Sequence, residues 1–224
     1  LYALMMCGQT EEALAWREWL LRAVAGDPSQ INIMYGLAGE RRLTELELDW
    51  LDGYEKSKPV RIGNAAHKQL QLDIFGEMMD AMHVARKSGL KCDENAWRLE
   101  LHLMEFLEKI WRDPDEGIWE VRGARQDFTH SKVMAWLAFD RAIKLVEECD
   151  CAANEHFGRW QKIRDQIHAQ VCERGYSPKK KAFTQVYGSD ALDASLLTMP
   201  LATLPHGPMS WVGRRLSSAM QSIS

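Results

Sequence analysis

The groups best suited to chemistry lie in residues 114–132, which read PDEGIWEVRGARQDFTHSK. Apolar periodicity stops at Trp111, and a proline with two glycines marks the next stretch as a loop. Inside it, Trp119, Glu120 and Arg122 place an indole, a carboxyl and a guanidinium next to one another in sequence. An indole face stacks on a pyranose ring, and it dries the surroundings of a carboxyl beside it, the condition for a general acid. An arginine two residues on can hydrogen-bond hydroxyls or hold the carboxylate in place. The same residues also fit a plainer reading, a surface loop with one buried Trp and a satisfied ion pair.

The elements that must position this loop are helical, because apolar residues recur at helical spacing along most of the chain. Capping and stop signals predict helices ending near Cys7, then over 10–25, 64–87, 93–112, 129–148, 154–175 and 190–200. Thr10, Asn64, Asp93 and Asp190 are read as the caps, and Asp190 or Asp193 could also face a pocket. Strand-like runs at 31–35 and 43–48 interrupt one long connection, and residues 208–223 read as a weakly patterned helix. The connections are short at 8–10, 89–93 and 149–154, but long at 26–63, 113–128 and 176–189. If short connections join antiparallel neighbours, every long loop falls at one pole. A repeated hairpin of this kind curves into a solenoid or closes into a toroid.

Function should then sit where the long loops gather. They supply Tyr35, Arg41, Arg42, Glu45, Trp50, Asp52, Tyr54, Arg61, Asn64, Gln185 and Tyr187, besides Trp119, Glu120 and Arg122. Aromatic faces with planar polar groups suit a polyhydroxylated ligand, whose hydroxyls both donate and accept. Trp50 and Tyr54 also fit a role as anchors of a long loop. Trp16, Trp19, Met78, Met79, Met82 and Met104 read as helix packing.

Bulk composition excludes several classes. With 224 residues, 46% of them hydrophobic, the chain can bury one sizeable core. A net charge of −4 makes no electrostatic case for nucleic acid or an anionic membrane, and no apolar run is long enough to span one. The five cysteines are odd in number, and Cys149 with Cys151 matches no usual zinc spacing. Free thiols and a cytoplasmic setting are expected. The seven histidines include no HExxH, so neither a metal nor another cofactor is expected.

Four stretches then carry a resemblance. Residues 36–82, 113–123 (DPDEGIWEVRG), 128–145 (FTHSKVMAWLAFDRAIKL) and 182–197 (AFTQVYGSDALDASLL) resemble, in order, the bacterial branch of glycoside hydrolase family 15, which holds glucoamylases and glucoamylase-like α,α-trehalases. The likeness runs from Leu1 to about Pro205. It implies an all-α fold, an incomplete (α/α)6 toroid of antiparallel helix hairpins with long loops and short β segments at one pole. It implies inverting hydrolysis of an α-glucosidic bond in trehalose or an α-glucan. Glu120 matches the family's general acid. Trp119, Arg122, Arg61, Asn64, His130, Lys132 and Trp50 match or neighbour motif positions around the sugar subsites.

The resemblance also implies parts this chain does not hold. The family's arginine–aspartate pair would lie upstream of Leu1, and its general base in hairpins beyond Ser224. Residues 1–205 are therefore expected to be part of one catalytic domain, inactive alone, with open apolar faces that invite self-association. Residues 206–224 are an atypical Ser-rich tail, expected from truncation or a frame shift. The competing readings are a non-catalytic carbohydrate-binding or regulatory module and a helical-repeat interaction scaffold on the same fold.

Overall fold

The computed structural model describes residues 1–90, 94–148 and 154–200. Its helices are α1 (Tyr2–Met6), α2 (Thr10–Val24), α3 (Asp73–Lys87), α4 (Glu94–Ile110), α5 (Thr129–Glu148) and α6 (Asn154–Arg174). Two antiparallel ribbons accompany them: β1 (Leu46–Glu47) pairs with β2 (Arg61–Ile62), and β3 (Tyr176–Ser177) with β4 (Ala182–Phe183).

Helix α5 is the one the others pack around. Val133, Ala135, Leu137, Ala138, Phe139 and Ala142 are all buried, so apolar contact surrounds it on nearly every side. Burying a side chain such as Phe139 contributes about 1.5–3 kcal/mol. Helix α3 lies against α5 so closely that a Cβ at Gly76 would stand 2.4 Å from the Met134 carbonyl oxygen. The two run in the same direction. Lys87 meets Glu148 at 2.7 Å at their C-terminal ends, while at their N-terminal ends Asp115 accepts the Leu72 N–H and lies close enough to Ser131 for that side chain to lower its pKa.

The second helix of each hairpin lies outside this row. Helix α6 packs behind α5 through Trp160, Ile163, Ile167 and Val171. Helix α4 is fastened to α3 by Arg86, whose guanidinium donates to both Glu100 oxygens at 2.7 and 2.9 Å. It is tied to α6 by the Arg159–Glu108 pair at 2.5 Å. Helices α1 and α2 continue the two rows, α1 against α3 and α2 against α4. Among the described residues the fold is all-α, an arc of (α/α)6-type hairpins that does not close into a ring.

Several local expectations needed correction. The helix expected from residue 64 begins at Asp73. Asn64 does cap, accepting from the Ala66 N–H at 2.9 Å, but the result is one 3-10 turn, Ala65–Lys68. Leu70 is then captured by the loop opposite: its N–H donates to the Glu116 carboxylate and its carbonyl accepts the Glu116 N–H. Those bonds replace the helical ladder. Residues 31–35 form no strand, because the Asn32 N–H turns to the Tyr35 hydroxyl and the Asn32 amide to the Arg41 carbonyl. Asp190 is not a cap but pairs with Lys179 at 2.6 Å, and Asp193 caps the 3-10 turn Ala194–Thr198. The expected cap Asp93, the cysteines Cys92, Cys149 and Cys151, and the segment 201–224 lie outside the described residues.

The close approach at Gly76 can be tested by chemical denaturation. Gly76→Ala should cost about 1–3 kcal/mol by forcing α3 away from α5. Gly158→Ala, in α6 with nothing within 4 Å of the added carbon, should be neutral or mildly stabilising.

Candidate active site

The three long connections meet at one end of the helices. Phe128 bridges Val186, the Thr129 N–H donates to the Gln185 carbonyl, and the Tyr187 N–H donates to the Asp127 carbonyl. On the other side, Asn64 and Glu45 reach the loop that carries Trp119 and Glu120. The poles expected from loop length are those of the structure.

That loop is fixed at its root. Asp115 and Gln126 exchange two backbone hydrogen bonds, closing the loop between them. Lys132 is fully buried beneath, and its Nζ donates to the carbonyls of Trp111 at 3.0 Å and Asp113 at 2.6 Å, with Asp127 at 3.4 Å. Burial pushes the Lys132 ammonium below its ordinary pKa, against the pull of Asp127 and Asp115. Gly117 adopts φ 70, and a Cβ there would stand 2.8 Å from the Phe128 ring.

The crown of the loop carries the polar groups that the sequence singled out. Glu120 adopts φ 53, a left-handed conformation uncommon for a residue with a side chain. Its Oε2 accepts from the Asn64 amide at 3.1 Å. Arg122 donates to both oxygens of Glu45, at 3.3 and 2.8 Å. Arg61 stands 3.5 Å from Glu45 and 2.8 Å from Glu47. The hydrogen bonds from Arg122 and the Ala65 N–H hold the Glu45 carboxyl below its usual range, and Glu45 in turn raises Arg122. The Trp119 indole N–H donates to Asp193, 2.8 and 3.0 Å from its two oxygens, while the ring is 55% exposed. Burial pushes Asp193 upward, but the Ser195 N–H, the Trp119 indole and Gln185 outweigh it and hold the carboxyl low.

Trp119, Glu120, Arg122, Arg61 and Asn64 thus share one exposed pole. Glu120 itself is exposed, so the described residues do not supply the dry surroundings expected of its neighbour's indole. His130 is buried just below, its Nδ1 without a partner and its ring held towards the neutral form by burial against the pull of Asp193. Lys132 stands apart: its ammonium grips the loop's root, away from the crown. Trp50, 76% exposed, sits on the excursion between β1 and β2. Tyr35 is a packing residue, edge-on to Trp19, and Arg41 caps the end of α2 through the Ala23 and Ala25 carbonyls. Glu45 and Asp193 organise the two halves of the crown; the sequence offered Glu45 only as one of many polar groups in the long connections, and Asp193 only as a residue that could face a pocket. Among the described residues no three or more His, Cys, Asp or Glu are grouped to hold a metal, and no helix is long and apolar enough to cross a membrane.

The profile of the glycosyl hydrolases family 15 matches residues 1–206. The chain belongs to that family. Among relatives of the family 15 chain, a trehalase of Mycobacterium tuberculosis is 41% identical over 201 residues, covering 90% of this chain and 29% of that protein. A trehalase of Thermoplasma acidophilum is 34% identical over 212 residues, covering 94% of this chain and 36% of that protein. The chain therefore spans 29% and 36% of the length of these two curated relatives. A solved glycosidase superposes with a TM-score of 0.52 at 20% identity, over 75% of this chain and 45% of that one. A variant of it in complex with glucose gives 0.52 at 19% identity over the same shares, 75% and 45%. These structures share the fold.

Beneath the loop, Asp73 at the start of α3 is buried with Oδ1 unpaired. Burial first, and the charge of Asp115 second, push its carboxyl up to about 7. An unfolded Asp titrates near ~3.9, so the native state binds the extra proton between about 4 and 7. Stability present below ~4 is therefore lost as pH rises to 7, by up to ~4 kcal/mol. Melting temperature should fall over that window for the family 15 chain, and Asp73→Asn should flatten the fall.

Proposed function

We propose that the protein carrying this chain hydrolyses an α-glucosidic bond, with trehalose as substrate and Glu120 as the general acid. Family membership and relatives named trehalase support the reaction class and the substrate. The observation that carries the role of Glu120 is its placement: a carboxyl at the exposed pole, bonded by the neutral Asn64 amide, next in sequence to an exposed indole, while the Arg122 guanidinium on the same loop is paired with Glu45 instead.

In this reading the exposed face of Trp119 receives a glucose ring, and the Asp193 hydrogen bonds keep the indole from turning away. Asn64 orients the Glu120 carboxyl so that its free oxygen faces the glycosidic oxygen. Protonation there makes the leaving sugar a neutral alcohol as the C–O bond breaks. Inversion requires a second carboxylate that activates water on the opposite face of the ring, supplied from outside this chain. Arg61 and Arg122 present N–H groups at the rim for sugar hydroxyls. No step in this reading calls on a metal or an organic cofactor.

The test is glucose release by the intact protein from trehalose, maltose and soluble starch. Trehalose should be hydrolysed fastest, and Glu120→Gln should lower kcat by about 10²–10⁴-fold while trehalose binding survives. A Glu120→Gln protein that still turns over would remove Glu120 from the role. Faster cleavage of maltose would reassign the substrate to α-glucans. Sugar binding without hydrolysis by the unaltered protein would favour a non-catalytic module.

A further inference from the structure

We infer that Glu45 is a positioning residue whose carboxylate holds the Arg122 guanidinium away from Glu120, leaving Glu120 to the neutral amide of Asn64. The inference rests on the reading of Glu120 as general acid. An acid must carry its proton when substrate arrives, and an arginine paired with it would keep it ionised.

Arg122 is the group that could do so. It lies two residues beyond Glu120 on the same loop, near enough that Glu120 contributes to its electrostatic stabilisation. Its side chain is 62% exposed, so little packing restrains it. What restrains it is Glu45, through the two-pronged contact at 3.3 and 2.8 Å. Such paired geometry is the strongest an arginine makes with a carboxylate.

Glu45 is built to hold rather than to follow. Its side chain is only 18% exposed, and its Oε2 also accepts the Ala65 N–H at 3.3 Å. It directly precedes β1, and the pairing of Leu46 with Ile62 and Glu47 with Arg61 fixes the backbone on which it stands. Asn64, two residues beyond β2, bonds Glu120, so one ribbon end holds both the acid and its competitor.

The other charged groups around the crown are already occupied. Arg61 is shared between Glu45 and Glu47. Asp193, across Trp119, is engaged by the indole and the Ser195 N–H, and burial holds His130 towards its neutral form. Arg122 is the cation whose partner decides the matter.

The experiment is the pH dependence of kcat/KM for trehalose in the intact protein. Glu45→Gln keeps the side-chain length and an oxygen for the Ala65 N–H but removes the charge that holds Arg122. The basic limb, which reports the protonated acid, should move to lower pH by about one unit or more, with kcat at neutral pH down about tenfold. Activity should recover towards the unaltered level as pH falls. Adding Arg122→Gln to Glu45→Gln should return the limb to its original position, whatever the absolute rate, since no guanidinium remains to pair with Glu120. If Glu45→Gln does not fold, Glu45→Asp withdraws the charge by one methylene and gives the same readout. A limb that stays in place in these single variants would overturn the inference, as would a double variant that remains shifted. An active Glu120→Gln protein would instead remove the general-acid reading beneath it.

Discussion

A buried ammonium under an otherwise exposed loop is the contact on which the arrangement depends. Removing a charge from water costs several kcal/mol unless its donors are all matched. Lys132 meets that condition with the Trp111 and Asp113 carbonyls and the Asp127 carboxylate. Because its stem is packed inside α5, those partners are drawn to a fixed point relative to the core helix. Trp111 and Asp113 are where the loop leaves α4, and Asp127 is where it returns to α5. Both ends are thereby set by one side chain.

From that root the loop rises with little apolar support, and hydrogen bonds from two other connections determine its crown. A left-handed residue with a side chain costs about 1–2 kcal/mol per residue. Glu120 is kept there by its neighbours. The Asn64 amide holds its carboxyl, the Gln69 amide donates to the Val121 carbonyl at 3.2 Å, and Glu45 holds Arg122. The third connection supplies Asp193 for Trp119. Side chains near each other in sequence are thus separated in space according to charge, with Arg122 turned to Glu45 and the indole N–H to Asp193. The carboxyl between them is left to a neutral amide.

The helices contribute rigidity rather than chemistry. The backbone contact between Gly76 and Met134 sets the spacing of α3 and α5, and the Arg86–Glu100 and Arg159–Glu108 pairs tie the outer row to it. Interiors packed this closely resist displacement. In the proposed reading, an acid that must meet a glycosidic oxygen within hydrogen-bond distance gains from such a platform, because loops standing on a firm arc can be placed reproducibly.

By itself, the sequence determined α1, α2, α4, α5 and α6, the pairing into hairpins and the pole at which the long connections gather, though not where α3 begins nor the 3-10 turn at Ala194–Thr198 in place of a helix. Apolar spacing, stop signals and connection length are local properties that survive without knowledge of the fold. It also determined the family, through four ordered motifs, and with it the prominence of Trp119, Glu120, Arg61, Asn64 and Arg122. Tertiary structure decided what each polar group touches. Whether Lys132 faces a ligand or the loop's root depends on which carbonyls stand over it, and no periodicity records that. Leu70 leaves the helix because Glu116, far along the chain, offers both a donor and an acceptor. Glu45 and Asp193 became organisers of the crown only when three separate connections converged, since a carboxylate's partner is chosen by distance in space.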